Sequence, residues 1–530
     1  MSGYAIFTTI VVLVLLVALM KEKMRPGLIL FSGAVIFMCV GIINPKELLE
    51  GFSNKGMITV ALLFLVSEGV RRSGLLEQLL GRLLPKGDAT IRKVQVRMLP
   101  IVAVLSAFLN NTPMVVIFGP MVKRWAERHR QSPTKYLIPL SFATILGGMC
   151  TLIGTSTNLV VHGMALEESL TNPAVRGLTM FEIGQVGVFI AIAGLIYIFI
   201  ATRWLLPESR EPENAAQSLS AESGGRYYRI DLVLGARFPA IGRKIRDFNF
   251  QQKYGASVLE LHRGGERYII HDLRKECYQE GDRLVILGDD DFMKNWGDSS
   301  FFLMVDAARP QKEHDLGSMK RWFTIILLFL MIFGAAIGEL PVTREWAQEH
   351  FGMKFDMFFW VCVVTVIMAW LNIFNARKYT KYFSWDVLIT IAMAFAISKA
   401  MQNSGMADAI AAWAVDMSRG NSPYLLLALV FVLCSTFTEL MTNNAAAALI
   451  FPISLSVAEH LGVSPMPFIV VICIAASCSF CTPIGYQTNL IVQGLGGYRF
   501  GDFVKIGLPL NLLCLALSVW LVPLFWPFYP

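Results

Sequence analysis

Cys150-Thr-Leu-Ile-Gly-Thr-Ser-Thr-Asn-Leu-Val-Val161 returns 331 residues later as Cys481-Thr-Pro-Ile-Gly-Tyr-Gln-Thr-Asn-Leu-Ile-Val492, with eight of twelve positions identical. Each copy lies in an apolar stretch and sets a glycine among hydroxyl and amide side chains, where a membrane helix would otherwise run unbroken. Polar groups at that depth are costly and tend to be functional. The pair therefore predicts a repeated membrane unit whose broken helices sit at its working centre.

Composition agrees. Of 530 residues, 55% are hydrophobic and only 16% charged, and the mean hydropathy is +0.55, which excludes an ordinary soluble domain. Apolar runs of bilayer length, about 20 residues each, recur from Tyr4–Met20 to Val504–Trp526. Eight of nine cysteines lie in apolar segments, which argues against disulfides or a zinc site. The net charge of +7 reads as orientation bias, not as a nucleic-acid surface. No phosphate-binding loop or H-E-x-x-H motif occurs, so no enzyme and no cofactor is expected.

Working outward, the first half places spans near 4–20, 27–43, 57–74, 136–162 and 184–205. Leu99–Val122 is apolar except for Asn110-Asn111-Thr112-Pro113 at its middle, and basic residues flank it on both sides (Arg92, Lys93 and Arg97; Lys123, Arg124 and Arg128). Both flanks read as cytoplasmic, so this segment, about 97–123, is expected to be a re-entrant hairpin. The second half repeats the plan with spans near 321–340, 355–373, 385–402, 465–491 and 504–526. Its hairpin, about 425–457, turns at Thr442-Asn443-Asn444; as one helix it would measure roughly 50 Å, too long for one crossing. Ser106, Asn110, Asn111, Thr112 and Pro120 fall on Thr438, Thr442, Asn443, Asn444 and Pro452 at an offset of 332.

Five crossings plus a hairpin per half make the repeats inverted, because an odd number sends the second half in from the other side. The fold expected is an α-helical polytopic membrane protein with repeats at 1–206 and 320–530. A linker at 207–225 and a small cytoplasmic α+β domain at 226–310 separate them. Strands are expected at Ile230–Leu234, Ser257–Leu261, Tyr268–His271 and Arg283–Leu287. Loop charges put both termini outside and residues 207–319 in the cytoplasm, with the chain multi-pass in the plasma (inner) membrane and in contact with its lipid.

The tips and breaks offer neutral oxygens and N–H groups. Ser106, Asn110, Asn111 and Thr112 face Thr438, Thr442, Asn443 and Asn444, while Gly154, Thr157, Asn158, Gly485, Thr488 and Asn489 supply the breaks. Neutral oxygens with helix-end carbonyls suit a cation such as sodium, and helix N-termini suit an anion. Glu439 is the deepest acidic residue, a proton carrier or a partner for a neighbour.

Two hairpins with such tips, each followed by a Gly-containing break, resemble the divalent anion/sodium symporters of the ion transporter superfamily across both membrane halves. Neither tip here is the family's Ser-Asn-Thr, and neither break has its proline pair. The resemblance implies sodium at Ser106, Asn111, Gly154, Asn158, Thr438, Asn443, Gly485 and Asn489. It implies a small anionic substrate at Asn110, Asn111, Thr112, Thr157, Thr442, Asn443, Asn444 and Thr488. A homodimer and an elevator-type mechanism also follow from it. Gly242-Arg243-Lys244-Ile245, the Tyr254-Gly-Ala-Ser257 run and Glu280–Gly288 resemble the TrkA-C (RCK-C) module of potassium-channel regulators, implying a regulatory role, with a small nucleotide as a candidate ligand. Members with such insertions tilt the substrate to sulfate. A dicarboxylate symporter, a sodium or oxyanion antiporter and a nutrient receptor without flux stand as alternatives.

Overall fold

The computed structural model describes residues 2–21, 24–85, 89–170, 172–208, 228–273, 275–297, 299, 301–307, 318–417 and 422–529. From residue 209 the expected linker lies outside them, as do 226–227 and 308–310 of the expected central domain. The first half comprises α1 (Gly3–Met20), α2 (Pro26–Cys39), α3 (Pro45–Ser53), α4 (Lys55–Arg72), α5 (Leu75–Leu83), α6 (Ile91–Ser106), α7 (Asn111–Arg128), α8 (Thr134–Gly148), α9 (Ser156–Glu168) and α10 (Gly184–Leu205). Between the halves lie β1 (Tyr228–Leu234), α11 (Phe250–Tyr254), β2 (Ser257–Arg263), β3 (Glu266–Ile269), α12 (Ile270–Leu273), β4 (Arg283–Gly288), α13 (Asp290–Trp296) and β5 (Phe302–Ala307). The second half comprises α14 (Ser318–Gly338), α15 (Pro341–Phe351), α16 (Met357–Trp370), α17 (Trp385–Asn403), α18 (Met406–Met417), α19 (Pro423–Leu440), α20 (Asn443–Leu461), α21 (Met466–Ala475), α22 (Gln487–Gly496) and α23 (Phe500–Phe525).

Among the described residues seven helical stretches are long and apolar enough to cross a membrane, and four further apolar helices are shorter. Helices α8 and α21 fall short because the chain unwinds after Gly148 and after Ala475 and only then resumes as α9 and α22. The two halves interlock. Helix α2 packs on α17 and α4 packs on α16, each pair joining opposite repeats, and α10 lies against α23. The hairpins interlock too, α7 against α22 and α20 against α9.

Outward faces stay apolar: Leu13, Val17, Ile192, Ile196, Phe329, Phe333, Leu508 and Leu512 are exposed, as a lipid-facing surface requires. Trp204 and Trp370, 78% and 87% exposed, sit at helix ends, where indole suits the interface. Four helices, α3, α5, α15 and α18, were not expected from hydropathy; each is short and carries charge, so no span-length window finds it.

The central residues form a five-stranded antiparallel sheet in the order β3-β2-β4-β1-β5. Its turn at Gly264-Gly265 needs positive φ at both residues, +56° and +82°, which glycine adopts without a Cβ penalty. Two differences from the expected strands appear. β3 stops at Ile269 and His271 belongs to α12, while β5, an edge strand not expected at all, pairs with β1. The sheet leans on the membrane helices, β1 on α22 and β5 on α7. Gly281, at φ +82°, admits the Leu490 side chain: a Cβ there would stand 2.5 Å from Leu490 Cδ1. Gly494 of α22 lies so close that its Cβ would be 2.8 Å from the Gly281 carbonyl. Arg124 of α7 pairs with Asp306 of β5.

Candidate functional site

Each hairpin breaks at a short non-helical turn, four residues long in the first (107–110) and two in the second (441–442). Helix α6 ends at Ser106 and α7 starts at Asn111, with Asn110 as a half-buried N-cap and Pro113 in the first turn, where its missing N–H costs nothing. Helix α19 ends at Leu440 and α20 starts at Asn443, capped by an exposed Thr442. Ser106 (0%) and Asn111 (1%) are shut away from solvent, as is Thr438, while Thr112 stays half-buried.

The two tips build the same object twice. The Ser106 hydroxyl points at Asn111 Oδ1, 2.6 Å away, and at the Thr144 carbonyl, 2.9 Å away. The Thr438 hydroxyl points at Asn443 Oδ1 and at the Ala476 carbonyl, each 2.7 Å away. A hydroxyl has one hydrogen, so each trio of oxygens shares a single donor and has lone pairs to spare. Such a cluster is suited to a cation with hard oxygen ligands.

The breaks are pinned in the same paired way. Asn158 Nδ2 donates to the carbonyls of Thr151 (2.8 Å) and Gly148 (3.4 Å); Asn489 Nδ2 donates to those of Ser479 (2.8 Å) and Thr482 (3.2 Å). The Gly154 amide donates to Thr151 Oγ1 and the Gly485 amide to Thr482 Oγ1, at 3.1 and 3.2 Å. Both glycines are needed for close approach: a Cβ on Gly154 would lie 2.5 Å from the Gly148 carbonyl, and one on Gly485 would collide with Ser479 Oγ. The pairing fails at one carbonyl. Asn489 Oδ1 accepts from Ser141 (2.7 Å), whereas the buried Asn158 Oδ1 and Thr488 Oγ1 have no hydrogen-bond partner among the described residues.

Each tip then meets the break of the opposite repeat. Asn111 Nδ2 donates to the Tyr486 hydroxyl (2.5 Å), which also lies 3.3 Å from Thr155 Oγ1 and bonds to Asn443. Thr112 donates to Gln487 Oε1 at 3.3 Å. On the other side Thr157 and Ser156 donate to Asn444 Oδ1, at 3.1 and 3.3 Å. Helices α7, α9, α20 and α22 thus all begin at this centre and bring the free N–H groups of their first turns to it. No lysine or arginine takes part in these contacts, so an anion here would be held by amides, hydroxyls and helix N-termini alone.

Glu439 stands to one side of this centre. Its carboxylate accepts from the amides of Cys481 (2.7 Å) and Thr482 (2.8 Å) and from Asn511 Nδ2 (3.2 Å). Glu68 of α4 is held by Arg71 and Arg72. Sequence reasoning missed Tyr486, Gln487, Ser141, Thr151 and Thr482. The two threonines were legible in the repeated phrase, but Tyr486 and Gln487 are where its copies differ.

The sheet carries its own charge cluster. Burial would raise Asp231, but Arg283, Lys123 of α7 and Arg229 outweigh it and hold the carboxyl at about 2. Glu260 is likewise desolvated, yet hydrogen bonds from His262 and Arg267 bring it down to about 2.

Comparison with known proteins agrees with the geometry. An uncharacterized transporter of Synechocystis sp., sll0640, is 30% identical, with 94% of this chain aligned to 93% of that one. Sodium/sulfate cotransporter 1 of Chlamydomonas reinhardtii is 31% identical over 271 residues, half of this chain and 29% of its own length. The crystal structure of the Alcanivorax borkumensis YdaH transporter covers 92% of this chain and 89% of its own at TM-score 0.51 and 14% identity, a likeness of fold. The citrate transporter family model matches residues 15–348 and 342–529: the chain belongs to that family, a permease of the divalent anion/sodium symporter type.

Proposed function

We propose that this membrane transporter couples sodium entry to the import of a small divalent anion, sulfate foremost. The observation that carries the reading is the double role of the two tip asparagines. Asn111 turns its oxygen into one oxygen cluster and its nitrogen towards the centre, and Asn443 turns its oxygen into the matching cluster. A sodium ion at each cluster fixes the amide by its oxygen and thereby aims the N–H₂ group at the anion. Asn158 Oδ1 and Gly154 complete the first cluster, while Gly485 and Asn489 shape the second. Thr157, Thr488, Thr112, Asn444 and the N-caps Asn110 and Thr442 frame the anion. The name of the partial relative, a sodium/sulfate cotransporter, supports both ion and substrate.

Alternating access then moves the hairpins and broken helices as one body, elevator-fashion, against a scaffold that includes α2, α4, α16 and α17. The protein works as a homodimer in the plasma (inner) membrane with both ends outside. The sheet domain, cytoplasmic and TrkA-C-like, adjusts the rate in response to a small nucleotide. Its seat on α7 and α22 supports that role, since both helices begin at the substrate centre.

The test is uptake of labelled sulfate into proteoliposomes with and without an inward sodium gradient, with succinate and citrate as competitors. Sodium-dependent sulfate uptake supports the reading. Equal flux with and without sodium, or binding without flux, overturns it.

A further inference from the structure

The twelve-residue phrase differs between its copies at four positions, and two of these carry polar side chains in both: Thr155 against Tyr486 and Ser156 against Gln487. The identical positions, Thr151 and Thr482, Gly154 and Gly485, Asn158 and Asn489, build the matching frames. Tyr486, Gln487 and Ser156 reach across to the other hairpin, and Thr155 reaches Tyr486. Two equal halves would enclose a centre of two-fold character; Tyr486 breaks that symmetry by putting a phenol where its mate has a threonine hydroxyl. Its oxygen lies between Asn111 Nδ2 (2.5 Å) and Thr155 Oγ1 (3.3 Å) and bonds to Asn443, so the end of the phenol reaches both tips.

We propose that Tyr486 is the residue that sets substrate size: its ring fills one half of the anion site, and its hydroxyl donates to the anion that fits the other half. The inference rests on the transport reading above. Having accepted from Asn111, the phenol keeps one hydrogen, which can go to Thr155 Oγ1 or to an anion beside it. A tetrahedral oxyanion with all its oxygens around one atom can take that bond together with those of Thr155 and Asn111. A four-carbon dicarboxylate, whose two charges are separated by a chain, needs the space the ring occupies. A site built to hydrogen-bond one ligand discriminates strongly against another that leaves its polar groups unpaired.

The full-length protein is reconstituted, and initial rates of labelled sulfate and labelled succinate uptake are measured for the wild type, Tyr486→Thr and Tyr486→Phe under one sodium gradient. Tyr486→Thr makes the two halves alike at this position and is expected to move the sulfate-to-succinate rate ratio at least tenfold towards succinate. Tyr486→Phe keeps the ring and loses the hydroxyl, so it is expected to raise KM for sulfate several-fold while succinate stays excluded. An unchanged ratio in a Tyr486→Thr protein that still carries sodium-driven flux overturns the proposal. If that variant does not fold, a Tyr486→Phe protein with wild-type KM for sulfate overturns it instead. Absence of sodium-driven flux of either anion in the wild type is a different failure: it removes the transport reading, and this inference with it.

Discussion

Glu439 separates two views of how this transporter is powered. Its carboxylate closes the longer of the two breaks by accepting the Cys481 and Thr482 amides, with Asn511 as a third donor. The first repeat has Ala107 at the matching position, and there the Cys150 amide, the counterpart of Cys481, donates to the Gly147 carbonyl. At Cys481 the Glu439 carboxylate thus takes the place of a backbone acceptor. Removing it in Glu439→Ala leaves two amides without acceptors. At about 1–3 kcal/mol for each buried group left unsatisfied, the loss is roughly 2–6 kcal/mol. Glu439→Gln keeps one acceptor oxygen but turns an N–H₂ against the second amide, for about half that loss. Thermal denaturation in detergent, followed with a thiol-reactive dye, reads this directly because Cys434, Cys473, Cys478 and Cys514 are buried. The expected order of stability is wild type, Gln, Ala, with sodium-driven uptake by the surviving Glu439→Gln protein showing the wild type's pH profile. A Glu439→Gln protein as stable as the wild type, but with its dependence on external pH abolished, would refute the reasoning and make Glu439 a proton carrier.

Asn111→Ala and Asn443→Ala each strip an oxygen from a cation cluster and should raise the sodium concentration for half-maximal uptake at least tenfold, while circular dichroism stays that of a folded protein. Gly154→Ala, whose Cβ would stand 2.5 Å from the Gly148 carbonyl, should abolish uptake and lower thermal stability, whereas Gly501→Ala, with open space around it, should do neither. Gly494→Val drives a side chain into the Gly281 carbonyl and Val233; it should speed hydrogen exchange in β1 and alter the maximal uptake rate without changing the half-saturating sodium concentration. The sheet domain should loosen in acid. Asp231 and Glu260 titrate at about 2 when folded and nearer 4 when unfolded, so their stabilisation is complete above about pH 4.5 and lost as pH falls through about 2. Hydrogen exchange of β1 and β4 peptides in the full chain, corrected for intrinsic rates, checks that window.

The repeated phrase and the tip triplets were legible because membrane burial penalises polar residues, so those that persist stand out against leucine and valine. Ser106, Asn111, Thr438 and Asn443 were found in that way, and the structure brings them together as two matching pairs. Tyr486 was not found, because an aromatic residue in an apolar segment reads as packing. Its role depends on the opposite hairpin, 375 residues away in sequence. Strand β5 escaped for a related reason: an edge strand of six residues has a weak periodic signal, and only pairing with β1 defines it. The seat of the sheet on α22 was invisible because it is made by glycines, Gly281 and Gly494, whose contribution is the absence of a side chain.

These details fit one physical logic. If the substrate is the proposed dianion, its charge in the membrane needs compensation, and no lysine or arginine makes the contacts at this centre. Neutral amides and helix ends can serve, provided the missing positive charge arrives with the substrate. The two oxygen clusters offer the places for it to arrive, one beside each tip, and each shares an asparagine with the centre. Symmetry then has a use under the proposed sodium-coupled import: two equivalent clusters would admit two monovalent cations, the number that neutralises one dianion. On the proposal for Tyr486, selection begins where the symmetry ends, because a two-fold site cannot distinguish one half of its ligand from the other.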